Sequence, residues 1–177
     1  MAANAMSMRN SFSETWLSLR FELLKHLKRR RLLILVALAV FLPLFPLIRR
    51  PDTAVEFAGS SLNFISVLIV ISAAMFAGDS VCGEFEKKTS LLLFPTPQNR
   101  VSIFAGKYLG ALLCTFLVVA LWYVVLTVEI GPLYGWGEMP ADLWKSFATA
   151  LIFSTAAVGV AFLVSSFFKR SISATIL

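Results

Sequence analysis

The sequence predicts an all-α, polytopic membrane protein with four helical spans, and three observations support this class. Of its 177 residues, 58% are hydrophobic and 15% are charged, whereas an ordinary soluble domain has roughly 25% charged residues. The mean hydropathy is +0.81, and four long stretches carry no charge. A chain of this length buries about 70% of its surface, so lipid must accommodate the remaining apolar side chains. The composition excludes a disordered chain, a basic nucleic-acid-binding domain and a small disulfide scaffold.

The first predicted element is an amphipathic helix over residues 11–31. Ser11 and Glu14 have the spacing of a capping box. Apolar side chains follow one face: Phe12, Trp16, Leu19, Leu23 and Leu27. Polar side chains follow the opposite face: Glu14, Ser18, Glu22, Lys25 and Arg29. The pattern predicts a helix in the membrane plane, with its apolar side among acyl chains and its charges among anionic headgroups.

The basic run 28–31 leads directly from this helix into the first span. A plain positive-inside anchor is therefore the alternative interpretation of the segment. His26 is the one histidine of the chain, and its neighbours favour an interfacial residue over a ligand or a proton relay.

The predicted spans cover residues 32–48, 60–78, 108–128 and 143–168. A transmembrane helix needs about 20 mainly apolar residues. The first stretch is shorter and contains Pro43 and Pro46, which remove backbone donors and predict a kink. A further apolar run, 172–177, would be the start of a fifth span in a truncated chain or a split gene, and a reduced variant with four spans is the alternative. No cleavable signal peptide is expected ahead of the first span.

Lys and Arg placement predicts that the N-terminus is cytoplasmic. With four spans, 13 of the 16 basic residues lie inside, and Arg49, Arg50 and Lys145 lie outside. If the first stretch were a re-entrant hairpin instead, 10 would lie inside and 6 outside. The four-span topology follows the charge rule better, and it predicts a multi-pass protein of the plasma membrane.

The chain carries no recognisable catalytic, metal-binding or cofactor-binding motif. It has no G-x-x-x-x-G-K-[ST] sequence and no H-E-x-x-H sequence. One histidine cannot build a zinc site, and Cys82 and Cys114 predict neither a disulfide nor a metal site. We therefore predict that the chain is not an enzyme and binds no cofactor or metal itself.

The long inner connection, residues 79–107, carries most of the functional information. A helix over residues 84–93 is predicted, because Glu84 and Lys88 form a favourable i,i+4 pair and acidic residues suit a helix start. Pro95 and Pro97 end it. A short helix tied to two spans would act as a lever. Its Leu91–Phe94 cluster would bind a soluble partner, lie on the membrane surface or pack beneath the bundle.

This connection resembles the permease subunit of type-2 ABC transporters. The shared elements are Glu84 and Glu86, Thr89, Leu91–Leu93, Pro97 and Arg100, and Gly106–Lys107. Their order and spacing hold over about 25 residues, with one extra residue at Phe94–Pro95. The amphipathic helix and the first three spans also fit the family's layout.

The resemblance implies that helix 84–93 is a coupling helix that docks on a separate ATP-hydrolysing subunit. The implied contacts are Glu84, Glu86, Thr89, Leu92, Pro97 and Arg100. ATP and Mg would then bind to the partner subunit. The other implied partners are a second permease copy, as homodimer or paralogue, and the lipid bilayer, with no nucleic acid.

The number of spans departs from the family, whose members usually have six. The expected function is an exporter permease for an unidentified substrate. The alternative is a non-transporting membrane scaffold that recruits a soluble protein through the same connection. A secondary transporter or channel is disfavoured, because the four uncharged runs hold no ionisable group.

Overall fold

The computed structural model describes residues 2–49, 51–86 and 100–167, and within these ranges it is an all-α bundle. Its five helices are α1 (Ala2–Leu27), α2 (Arg30–Leu44), α3 (Ala54–Glu86), α4 (Arg100–Tyr134) and α5 (Asp142–Phe167). Short 3₁₀ turns cover Phe45–Arg49 and Trp136–Glu138. No strand occurs in the described ranges, so the predicted all-α class is confirmed.

Four segments are long and apolar enough to cross a membrane. They are Arg30–Ile48, Ala54–Gly78, Val101–Tyr134 and Asp142–Phe167. Each contains or closely matches one of the predicted spans. The architecture is therefore consistent with a multi-pass membrane protein.

The antiparallel helices α3 and α4 form the centre of the bundle and define its two ends. One end of the bundle holds the short α2–α3 and α4–α5 turns and is called the hairpin end. Here α3 begins and α4 ends, and the rings of Phe57 and Tyr134 lie 6.0 Å apart. The Tyr134 hydroxyl donates a hydrogen bond of 2.6 Å to the Pro51 carbonyl. At the loop end, α3 finishes at Glu86 and α4 begins at Arg100. Residues 87–99, which join them, lie outside the described ranges.

Helices α2 and α5 pack against this central pair. The Ser165 hydroxyl of α5 donates to the Gly78 carbonyl of α3 at 2.8 Å. On α4, the Tyr123 hydroxyl lies 2.8 Å from Ser146 Oγ of α5. These polar contacts join α5 to α3 and α4, and they provide hydrogen bonds for hydroxyl groups inside the bundle, where an unpaired polar group is unfavourable.

Trp122 of α4 is the largest fully buried side chain of the core. Phe57 and Phe76 of α3 and Leu126 of α4 belong to the same hydrophobic cluster. The indole Nε1 of Trp122 has no hydrogen-bond partner in the described part of the chain. Trp122 therefore stabilises the bundle through packing and not through a polar contact.

The first span ends in the distortion that its prolines predict. Pro43 is buried in the last turn of α2, and the chain continues as the 3₁₀ turn Phe45–Arg49. Ser61 of α3 donates to the Pro43 carbonyl at 3.4 Å. The Ser61 hydroxyl thus provides a hydrogen bond to a carbonyl at the point where the proline interrupts the regular α-helix.

Two element boundaries differ from those predicted. Helix α1 begins at Ala2 rather than at the predicted cap Ser11, and it ends at Leu27 before a bend at Lys28–Arg29. The predicted separate helix 84–93 begins inside α3, which runs on through Glu86. Residues 87–93 lie outside the described ranges.

Candidate functional site at the loop end

The residues implied by the family resemblance lie at or next to the loop end. Glu84 and Glu86 belong to the last turn of α3, and Arg100 is the first residue of α4; the structure describes their backbones alone. Thr89, Leu92 and Pro97 fall outside the described ranges. The fold thus brings the two flanks of the predicted docking segment to one end of the bundle, beside helix α1.

A buried charged cluster on α1 lies at this end. Glu22 Oε1 is 2.7 Å from Lys25 Nζ and 3.3 Å from His26 Nε2. The side chains of Glu22 and His26 are 7% and 3% exposed, whereas that of Lys25 is 28% exposed. The His26 contact is close but poorly aligned, and its Nε2 makes no hydrogen bond to any described residue. Glu22 is therefore held by an ion pair with Lys25 and a close contact with His26.

The same cluster joins α1 to the central pair. The ring of His26 meets Phe76 of α3 edge-on, with 5.1 Å between centroids. On α4, Ser102 and Lys107 are buried at 5% and 4% exposure. A charged residue such as Lys107 is almost never so buried without a partner. Lys107 does take part in a polar or electrostatic interaction. Helix α4 therefore also contributes a buried charged residue with a partner at this end.

Two glycines of α4 let α1 approach closely. A Cβ at Gly106 would lie 2.5 Å from Ser18 Cβ and 2.8 Å from the Thr15 carbonyl oxygen. A Cβ at Gly110 would lie 3.0 Å from Glu22 Cβ. Because the glycines have no side chain, the α1 backbone rests directly on α4. The contact makes α1 part of the bundle and not a loosely attached surface helix.

The rotation of α1 about its axis contradicts the predicted orientation of its polar face. Glu22 and His26, expected among headgroups, are buried against the bundle. Trp16, Phe21 and Leu27 on the outer side are 61%, 65% and 55% exposed. The predicted apolar face is only partly available to acyl chains, because Leu19 is 7% exposed and packs against the bundle. Ser18 and Glu22 of the predicted polar face lie against Gly106 and Gly110 of α4. Gly106 and Gly110 form a groove on α4 that accepts α1. Their spacing of four residues is the sequence feature that could have indicated this contact.

Electrostatics at the cluster favour the ionised carboxylate. Burial by itself raises the pKa of Glu22, but the neighbouring His26 and Lys25 side chains outweigh it and lower the pKa to about 2. Burial lowers the pKa of Arg29, and the charge of Arg31 adds to this effect. The cluster thus holds fixed charges where α1 meets α2.

Lowering the pH should weaken the attachment of α1. Since the pKa of Glu22 falls from 4.5 to about 2 on folding, its stabilisation is complete above pH 4.5 and declines as the pH falls towards 2. We expect Glu22→Gln to lower the free energy of unfolding by on the order of 2 kcal/mol at pH 7. The difference from wild type should shrink below pH 4.5 in thermal melts of detergent-solubilised protein.

The exposed Glu56 offers a matched control for that experiment. Glu56→Gln should leave the melting temperature unchanged at every pH. Equal melting temperatures of Glu22→Gln and wild type at pH 7 would contradict a stabilising role of the Glu22 charge.

The described residues offer no metal centre. No group of three or more His, Cys, Asp or Glu side chains that could hold a metal ion occurs in residues 2–49, 51–86 and 100–167. Glu129 of α4, near the hairpin end, has both carboxylate oxygens buried without a hydrogen-bond partner in this part of the chain. An ionisable group inside a span often marks an ion pathway, so Glu129 is the residue on which an ion-coupled alternative would depend.

Comparison with known proteins places the chain in a family. A family model described as "Protein of unknown function (DUF2705)" matches residues 32–177. The chain belongs to this family. The DUF2705 match covers α2 to α5, while α1 precedes it. No curated protein and no solved structure matches the chain.

Proposed function

We propose that this chain is the membrane-spanning permease subunit of an ABC exporter. A separate ATP-hydrolysing subunit docks on residues 84–100 from the cytoplasm. The proposal rests on the resemblance of this connection to type-2 ABC permeases. The supporting geometric observation is that the connection joins the ends of α3 and α4 beside the tightly held helix α1.

The helices at the loop end pack against one another, so a force applied to this connection would be transmitted to all of them. A load on residues 87–99 acts on the last turn of α3 and the first turn of α4. It also reaches α1, because Gly106 and Gly110 hold that helix against α4 and His26 contacts Phe76 of α3. Closure of an ATPase pair would therefore shift three packed helices together.

The acidic residues at the end of α3 would pair with basic groups of the ATPase. The double variant Glu84→Lys/Glu86→Lys is expected to lose copurification of an ATPase from native membranes in mild detergent, by at least about tenfold, because like charges would then meet at the contact. Quantitative mass spectrometry of the purified material measures this loss.

Asp52→Lys provides the matched control, because Asp52 is exposed at the hairpin end. The control should retain the ATPase. Unchanged copurification with the double variant would contradict docking through these acids. Recovery of a soluble partner without a P-loop would instead support the scaffold alternative.

A further inference from the structure

Glu129 of α4 carries a buried carboxyl group that the proposed docking does not use. Both of its side-chain oxygens are enclosed by the protein, and neither makes a hydrogen bond to any described residue. Glu129 also takes no part in the ion pairs of the described residues. Buried polar atoms nearly always have a partner. The unpaired oxygens therefore indicate that Glu129 binds something other than a side chain or backbone group of the described bundle.

Glu129 lies close to the hairpin end of the bundle. Five residues separate it from Tyr134, where α4 ends, and 29 separate it from Arg100, where α4 begins. At about 1.5 Å per residue, its backbone is about 8 Å from one end of the helix and about 44 Å from the other. A small ligand of the carboxyl group would therefore enter from the hairpin side, which is the outer side in the topology that Lys and Arg placement predicts.

The turn of α4 that follows Glu129 is interrupted by Pro132. A regular α-helix would bond the N–H of residue 132 to the Val128 carbonyl, and proline has no N–H to donate. In membrane helices, ordered water is one of the groups that bind a carbonyl at such an interruption. Water at this turn would lie close to Glu129 and would exchange a proton with its carboxyl group.

The described charged residues of the hairpin end do not neutralise Glu129. On α5, Lys145 is exposed and pairs with Asp142 at 2.7 Å. On the α2–α3 side, the described charged side chains belong to the acids Asp52 and Glu56, and both are exposed. The other charged residues of this end, whose side chains lie outside the described part of the chain, are Arg49, Arg50 and Glu138. Burial of an isolated carboxylate is strongly unfavourable, whereas burial of the neutral acid is much less so.

We propose that Glu129 is a proton-binding site of the bundle, which takes up and releases its proton at the hairpin side of the membrane. A proton needs only one lone pair of the carboxylate. Hard metal cations need several oxygen ligands, and the described residues offer no group of three or more His, Cys, Asp or Glu side chains that could hold one. The site does not depend on the docking of an ATPase at residues 84–100.

Labelling of intact cells with dicyclohexylcarbodiimide tests for the bound proton. A neutral carboxylic acid adds across one C=N bond of this apolar reagent: a carboxyl oxygen bonds to the central carbon, and the acid proton moves to the nitrogen. An ionised carboxylate has no proton to transfer. We expect an adduct on the peptide that contains Glu129, and its yield should fall at least about tenfold when the external pH rises from about 6 to about 9. Quantitative mass spectrometry of the peptides measures the yield.

Exposed Glu56 is the matched control within the same molecule. It should be labelled at least about tenfold less than Glu129 at the lower pH, because burial does not hold an exposed carboxyl group in its neutral form. Glu129→Gln should abolish the adduct at residue 129. Absence of the adduct from the wild type, equal labelling of the two glutamates, or labelling of Glu129 that does not change with external pH would overturn the proposal.

Thermal melts in mild detergent provide a second readout. Because burial favours the neutral acid, loss of the proton from Glu129 should destabilise the bundle. The melting temperature of the wild type should therefore fall relative to that of Glu129→Gln as the pH rises, whereas Glu56→Gln should follow the wild type. A difference between wild type and Glu129→Gln that stays constant, or that changes in the opposite direction, would overturn the proposal. ATPase copurification, scored on the same Glu129→Gln sample, reports separately on the proposed function.

Discussion

Gly106→Val is expected to separate α1 from α4 and to destabilise the protein strongly. A Cβ at residue 106 would meet Ser18 Cβ at 2.5 Å and the Thr15 carbonyl oxygen at 2.8 Å. Backbone atoms cannot rotate away, so the whole of α1 must move. Overpacking of this kind costs about 1–3 kcal/mol and occasionally more. Thermal unfolding in mild detergent should show a clear fall in the melting temperature.

Gly159→Val is the matched control for this substitution. Gly159 also lies inside a helix, and a Cβ there would have no atom within 4 Å. Both variants gain the same helix propensity, because valine is a better helix former than glycine, so any excess loss of stability at residue 106 measures the contact with α1. Equal melting temperatures of the two variants would show that α1 does not rest on α4 in the membrane protein.

Trp122→Ala is expected to be the most destabilising substitution in the core. Trp122 is fully buried, and its removal would leave a large cavity between α4 and the neighbouring helices. Substitutions of this size cost about 3–5 kcal/mol. Because the indole Nε1 has no partner in the described part of the chain, Trp122→Phe should recover most of the loss.

Trp144→Ala provides the comparison at an exposed site. Trp144 is 71% exposed on α5, and we expect a change within about 0.5 kcal/mol. Both variants are measured by denaturation of detergent-solubilised protein. If Trp122→Ala unfolds at the same point as Trp144→Ala, the central packing described here is wrong.

The spans could be predicted from sequence because run length and charge placement determine them almost alone. Each uncharged run lies in or against one helix of the bundle, and Pro43 marks the end of α2. The rotation of α1 could not be predicted in this way. In the sequence Glu22 and His26 resemble residues of an exposed polar face, because their contacts with Gly110 and Phe76 lie at least 50 positions further along the chain. The rotation of α1 is determined by contacts with segments that are distant in the sequence, which a local pattern does not show.

The exposed residues Asn63 and Ser66 of α3 show a related limit. Asn63 and Ser66 lie in an uncharged run, and hydropathy alone treats them as tolerated polar residues within a span. The positions of α2 and α5 leave both side chains on an outer face of the bundle, which hydropathy alone does not show. The docking residues remain a prediction, since Thr89, Leu92 and Pro97 lie outside the described ranges.

The most direct test of docking at residues 84–100 is site-specific photocross-linking in intact cells. A benzoylphenylalanine in place of Thr89 should cross-link to a cytoplasmic protein that carries a P-loop, and the same probe in place of exposed Val55 at the hairpin end should not. Mass spectrometry identifies the product. Labelling of residue 89 by an impermeant reagent from outside the cell, or cross-links to lipid alone, would contradict the proposed function.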